Sequence, residues 1–221
     1  MKVILLTKTE AFSRMAQAIA RDAFADLQIC EGKVGDPRPS AFSTETPDFL
    51  ISFLSPWIVP KETLDRAGTA INFHSGSTDY PGAGCYNFAL YEGAAEYGAV
   101  CHHMLPKVDT GAIIMERRFP IPPDATVQSL RHAALETMIG MFREIVALIA
   151  EGRPLPVADA QWTRRPFTSR EIDALSICHE DMPEEEVRRR VRATYYPGYP
   201  GPVMHYGDGR IEEIPVQQYG I

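Results

Sequence analysis

Val3-Ile4-Leu5-Leu6 is an unbroken apolar run, the pattern of a strand buried on both faces. From Glu10 to Ala25 the apolar positions change period: Phe12, Met15, Ala16, Ile19 and Ala23 recur at the spacing of one helix face. Leu27–Cys30, Phe49–Leu54 and Ala70–His74 are the next strand candidates, with a short helix expected around Lys61–Ala67. Gly98–Met104 and Gly111–Met115 read as two more strands, joined by a turn that contains Pro106 and Asp109. Leu130, Ala134, Met138, Met141, Ile145 and Leu148 form one stripe, which predicts a long helix over Ser129–Glu151 closed by Gly152-Arg153-Pro154.

Strands and helices in alternation imply parallel pairing through right-handed crossovers. The pattern therefore predicts an α/β fold: a Rossmann-like open, mostly parallel sheet flanked by helices. A ligand site in such a sheet lies beyond the carboxyl ends of its strands. After Pro154 the texture changes. Glu180–Arg192 is charge-rich and helical, and the Tyr-Pro-Gly run from Tyr195 to Pro202 suits neither a helix nor a central strand. Met204–Tyr206 and Arg210–Ile214 flank Gly207-Asp208-Gly209 as a hairpin. A small C-terminal α/β appendage is expected.

Composition narrows the class. The chain has 221 residues, is 45% hydrophobic and carries a net charge of −7, so it can build a core but does not favour nucleic acid by phosphate neutralisation. No apolar run approaches the roughly 20 residues a membrane helix needs. The cysteines, Cys30, Cys85, Cys101 and Cys178, have neither metal spacing nor a disulfide framework. Met1-Lys2 leads directly into the first strand, with no signal-peptide pattern. A cytoplasmic protein that uses no metal and no membrane is expected.

Candidate chemistry centres on Ile71-Asn72-Phe73-His74-Ser75-Gly76. On a strand, Asn72 and His74 point to the same face, where an amide and an imidazole can donate a hydrogen bond and exchange a proton. By itself an Asn-x-His pair is more often structural. Asp109, before the apolar strand Gly111–Met115, is by pattern a turn residue unless the fold returns it to the same crevice. His102 and His103 face opposite sides of their strand, so one of them is placed to approach the site. Trp57 suits either a ligand ring or the core beside Pro56 and Pro60. Cys85 and Cys101 read as small buried hydrophobes.

Together these residues resemble the 10-formyltetrahydrofolate-dependent formyltransferases, a family that includes methionyl-tRNA, glycinamide ribonucleotide and sugar-nucleotide N-formyltransferases. Asn72-Phe73-His74-Ser75 is similar to the family's Asn-x-His-Pro signature, with serine in place of proline. Asp109-Thr110-Gly111-Ala112-Ile113-Ile114 matches its Asp-x-Gly-x-Ile-Ile signature. Gly82 and Tyr91-Glu92-Gly93 fall where the family has its loop glycine and a helix end, and Ser52–Pro60 resembles the strand and loop of its pterin pocket.

The resemblance implies Asn72, His74 and Asp109 as catalytic residues, with Asn72 and protonated His74 stabilising an oxyanion and Asp109 orienting His74. It implies 10-formyltetrahydrofolate as co-substrate, bound by Leu54, Trp57, Ile58, Gly82 and Asp109. It divides the chain into a catalytic domain over 1–155 and an appendage over 156–221 for acceptor binding or dimerisation.

The tail, with Trp162–Thr168 and the tyrosine-rich segment after Arg192, is similar to those of sugar N-formyltransferases. The acceptor expected is the amine of a nucleotide-linked aminodeoxysugar, met by Lys8, Tyr195 and Tyr196, although with Tyr199 the two tyrosines equally suit a dimer contact or the core of the appendage. Methionyl-tRNA and glycinamide ribonucleotide are the alternative acceptors, and a homodimer is a further expectation. Two rivals stand beside this reading. A nucleotide-cofactor domain needs a glycine-rich turn after its first strand, where this chain has Thr7-Lys8-Thr9-Glu10. An inactive folate-binding relative would be expected to have lost one of the three polar residues.

Overall fold

The computed structural model describes residues 1–220. Six strands form one sheet: β1 (Lys2–Lys8), β2 (Asp26–Gly32), β3 (Phe49–Phe53), β4 (Thr69–His74), β5 (Glu96–His103) and β6 (Ile113–Pro120), in the order β2-β1-β3-β4-β5-β6. The β1–β2, β1–β3 and β3–β4 pairings are parallel, whereas β4–β5 and β5–β6 are antiparallel. The sheet is thus Rossmann-like on one side and a meander on the other.

Alternation along β1 separates the two faces. Val3 and Leu5 enter the core beneath α1 (Ala11–Ala23) and the long α5 (Val127–Ala150), and Ile4 and Leu6 pack with Phe42, Leu50 and Val59 on the opposite face. Helix α1 buries Ser13, Ala16, Gln17 and Ala20, with Phe12, Ile19 and Ala23 partly buried against the core, while Met15 of the expected stripe is exposed. The start of α5 is fixed by reciprocal bonds: Thr126 Oγ1 accepts from the Ser129 N–H at 3.1 Å, and Ser129 Oγ accepts from the Thr126 N–H at 2.9 Å.

Two short helices, α2 (Ala41–Thr44) and α3 (Lys61–Leu64), flank β3, and α4 (Cys85–Glu92) follows β4. After α5 come α6 (Ser169–Leu175), β7 (Ile177–His179), α7 (Glu184–Thr194), β8 (Val203–His205) and β9 (Ile211–Glu213). Strands β7-β8-β9 form a second sheet, with β7 parallel and β9 antiparallel to β8. This appendage has its own small core of Cys178, Val187, Val191, Ile214 and Val216. It is joined to the main body where α7 packs on α4, with Asn87 Nδ2 donating to the Ala193 carbonyl at 2.7 Å.

Between α5 and α6 the chain crosses back over the loop that follows β4. The Ala158 N–H donates to the Ile113 carbonyl at 3.1 Å, Thr163 N–H to Thr78 O at 3.2 Å, and Phe167 N–H to Pro81 O at 2.9 Å. Phe167 stacks on Phe88, with ring centroids 3.8 Å apart. This strap is held by both ends of the β4 loop.

Candidate active site

The antiparallel β4–β5 pairing places Asn72 directly opposite His102. Asn72 Nδ2 lies 3.2 Å from His102 Nε2 and 3.5 Å from Asp109 Oδ1. His74, two residues on from Asn72, shares its face of the strand. Asp109 enters from the turn between β5 and β6, with Oδ2 3.3 Å from His74 Nδ1 and Oδ1 3.1 Å from His102 Nε2. The amide, the first imidazole and the carboxylate singled out by sequence thus converge, and His102 is the member of its pair that joins them. His103 stands apart, half-buried, and its pKa is lowered first by burial and then by the neighbouring His102.

Asp109 is unusual in its backbone as well as its burial. It is a non-glycine residue at φ +46° with only 4% of its surface exposed. Aspartate tolerates this left-handed region better than most residues. Gly111 follows because a Cβ there would lie 1.8 Å from the His103 carbonyl oxygen. Gly82, at φ +87°, donates its N–H to Asp109 Oδ2 at 2.8 Å. Burial opposes a charge on Asp109. The nearby His74 charge, the hydrogen bond and charge of His102 and the Gly82 N–H outweigh it, holding the carboxyl well below the usual carboxylate range.

Hydrogen-bond partners restrict both imidazoles. His74 Nε2 lies 2.9 Å from the Tyr80 carbonyl, and His102 Nδ1 lies 2.8 Å from the His103 carbonyl. A carbonyl only accepts, so each of these nitrogens carries a hydrogen. The remaining nitrogen of each ring faces Asp109. A proton added to either ring therefore acquires a carboxylate partner at once, while neutral His102 can instead accept from Asn72.

These residues open onto a cavity of about 500 Å³ beyond the carboxyl ends of β1, β3 and β4. Leu54, Trp57, Ile58, Gly82 and Lys8 all line it, as do Asn72, His74, His102 and Asp109. Leu54 sits at φ +56°, a strained backbone at the cavity wall. Ile58 and Val108 are exposed on its rim at 64% and 44%. Trp57 lines the cavity and packs edge-on against Phe42, with Nε1 donating to the Asp36 carbonyl at 3.1 Å. Lys8 is tied to Glu10 at 3.4 Å.

The structure does not bring Tyr195 or Tyr196 to this cavity. Tyr195 packs into the appendage core, and Tyr196 against the cluster around α4 and the start of α5. Apolar ring surface following a helix end reads alike for a ligand platform and for such a seam. Cys85 lines the cavity, but burial pushes its thiol up to about 11, so no thiolate nucleophile is present. No cluster of three metal-ligating side chains occurs among the described residues, and no helix there is long and apolar enough to cross a membrane.

Residues 39–144 match the formyl transferase family. That range holds β3, β4, β5 and β6 of the six-stranded sheet. Strands β1 and β2 and helix α1 complete its sheet from outside the matched range. A GDP-perosamine N-formyltransferase of Brucella melitensis is 25% identical over 171 residues, which span 76% of this chain and 64% of that protein. The methionyl-tRNA formyltransferase of Moorella thermoacetica is 28% identical over 150 residues, 66% of this chain and 47% of the other. The chain therefore aligns with less than two thirds of either relative's length.

Among solved structures, a sugar N-formyltransferase from a Shewanella species superposes with a TM-score of 0.77, at 16% identity, over 97% of this chain and 96% of the other. An N-formyltransferase from Helicobacter canadensis, solved with folinic acid and dTDP-3-aminofucose, gives a TM-score of 0.71 at 15% identity, over 91% and 84%. The six-stranded sheet with its helices and the appendage are thus both covered by a shared fold.

Proposed function

We infer that the chain transfers a formyl group from 10-formyltetrahydrofolate to a primary amine, the amino group of a nucleotide-linked aminodeoxysugar. The observation that carries this reading is the buried, ionised Asp109 held between two imidazoles at the end of an open cavity. Acyl transfer to an amine needs a place for the amine's proton and a donor for the developing oxyanion.

The amine nitrogen bonds to the formyl carbon and the carbonyl oxygen takes the negative charge. One amine proton passes to an imidazole nitrogen that faces Asp109. Once His102 holds a proton it no longer accepts from Asn72, and the Asn72 amide is free to donate to the oxyanion. Collapse re-forms the carbonyl, breaks the bond from carbon to N10 of the folate, and returns the proton to that nitrogen. In this reading Asn72 is the donor and Asp109 the orienting charge, while His74 moves from the expected oxyanion donor to a proton carrier, a role His102 shares. Leu54, Trp57, Ile58 and Gly82 supply the wall for the folate.

The sugar acceptor is favoured by the relatives acting on GDP-perosamine and crystallised with dTDP-3-aminofucose. A methionyl-tRNA acceptor has support from the Moorella relative, but the net charge of −7 works against a tRNA partner. Buried, unpaired Cys30, Cys85, Cys101 and Cys178 fit a reducing cytoplasm.

The test is mass spectrometry on a panel of aminosugar nucleotides incubated with 10-formyltetrahydrofolate. Gain of one formyl group on an acceptor, dependent on enzyme, is the expected result. Folate binding without any formylated product would leave the chain a binding protein instead.

A further inference from the structure

Trp162 lies in the strap after α5, 53 residues beyond Asp109 in sequence, yet its indole packs against two residues of the centre. Its ring packs edge-to-face against His102, with centroids 5.2 Å apart, and against His74 at 5.9 Å. Its Nε1 donates to the Gly111 carbonyl at 2.8 Å, which ties the ring to the turn that carries Asp109. Trp162 is not among the residues that line the cavity, whereas both imidazoles are. On either side of it the backbone is anchored to Ile113 and Thr78.

We propose that Trp162 is a positioning residue for the catalytic centre: it holds the His74 and His102 rings against Asp109 and closes their rear face to water. Among the described residues, Trp162 is the aromatic ring that packs against both imidazoles. Both rings depend on exact placement, because each has one nitrogen committed to a backbone carbonyl and the other to the carboxylate. Fixed orientation of proton carriers is where a small displacement is most costly, since a shift near 1 Å can lose about 10²-fold in rate. The strap is thereby part of the catalytic unit, although it follows the long helix.

This proposal rests on the formyl-transfer reading only for its kinetic arm. Two variants that keep apolar bulk, Trp162→Leu and Trp162→Phe, test it in the full chain. Trp162→Leu removes the aromatic edge, and kcat is expected to fall on the order of 10²-fold. Trp162→Phe keeps a ring but loses the bond to Gly111, a loss of about tenfold or less. KM for 10-formyltetrahydrofolate stays near the wild-type value in both. Independently of activity, nitrogen-15 NMR should show the ring N–H protons of His74 and His102 exchanging with water faster in Trp162→Leu than in Trp162→Phe and the wild type.

Wild-type kcat in Trp162→Leu, a loss confined to KM, or unchanged N–H exchange would overturn the proposal. If the wild-type chain formylates nothing, the proposed function fails, while the exchange measurement still decides the role of Trp162.

Discussion

Asn72 and His102 face each other across two antiparallel strands, amide nitrogen to imidazole Nε2 at 3.2 Å, with Asp109 within reach of both. This cross-strand pair exists because the sheet reverses direction at β4. A parallel neighbour would need a crossover there and would not bring the β5–β6 turn back to the end of β4. The reversal delivers a carboxylate to a site that the parallel half of the sheet has already opened.

Asp109→Asn isolates the charge. Asparagine accepts the left-handed backbone at φ +46° and keeps an oxygen for the Gly82 N–H, so the fold should survive. A proton arriving on His74 or His102 then finds no anion. Formyl transfer should fall by about 10²- to 10⁴-fold, with circular dichroism unchanged. Wild-type turnover in this variant would remove Asp109 from the mechanism.

The same substitution makes a prediction about acid. The Asp109 carboxyl is depressed in the folded chain relative to its ordinary value of 3.8. Its contribution to stability is therefore present above that value and is lost as pH falls toward the folded pKa. The stability gap between wild type and Asp109→Asn, measured by urea unfolding, should be widest near neutral pH and shrink below about pH 4. A gap that stays constant down to pH 3 would contradict the depressed carboxyl.

Where the apolar period is clean, sequence and structure coincide: Val3–Leu6 and the α5 stripe lie in the elements they predict, whereas α1 is a helix as expected but turns Met15 outward and buries Ser13 and Gln17. Strand parity also separated the two histidines, since His102 faces Asn72 and His103 does not. Helix α4 was accessible only through family resemblance. Its buried Cys85, Phe88, Ala89 and Leu90 leave no polar face to mark a stripe. The start of α6 had a readable signal, the Thr168-x-x-Glu171 pattern, which the structure closes with a bond from the Thr168 N–H to Glu171 at 2.8 Å. Trp162 had none. Its position depends on how the strap returns across the β4 loop, and no local pattern encodes that. Tyr195 and Tyr196 show the converse, side chains chosen for ligand chemistry that the fold uses for packing.

Gly76 tests the loop that departs from the family's signature. A Cβ at this position would lie 2.5 Å from His74 Nε2, 2.9 Å from the Tyr80 carbonyl and 3.0 Å from Cys85 Cβ. The glycine is thus what lets His74 reach Tyr80. Gly76→Ala should displace the ring, lowering kcat by about 10²-fold. Overpacking should cost about 1–3 kcal/mol in stability. Crystal structures or imidazole NMR should show the bond from His74 to Tyr80 broken. Intact kcat would mean that the ring tolerates the shift.

Ile58 separates donor binding from both chemistry and folding. It lines the cavity but is 64% exposed, with no place in the buried core. An apolar side chain left open to water at a cavity mouth contributes little to the folded state, and its energy becomes available when a flat, apolar ligand surface covers it. Ile58→Ser should change stability by no more than about 0.5 kcal/mol. Covering a side chain of this size is worth about 1.5–3 kcal/mol when complete. Partial cover by the folate therefore predicts a KM for 10-formyltetrahydrofolate raised about tenfold, with kcat and the acceptor KM close to wild type. A change confined to the acceptor KM would instead assign this wall of the cavity to the amine substrate, and the folate would have to lie elsewhere.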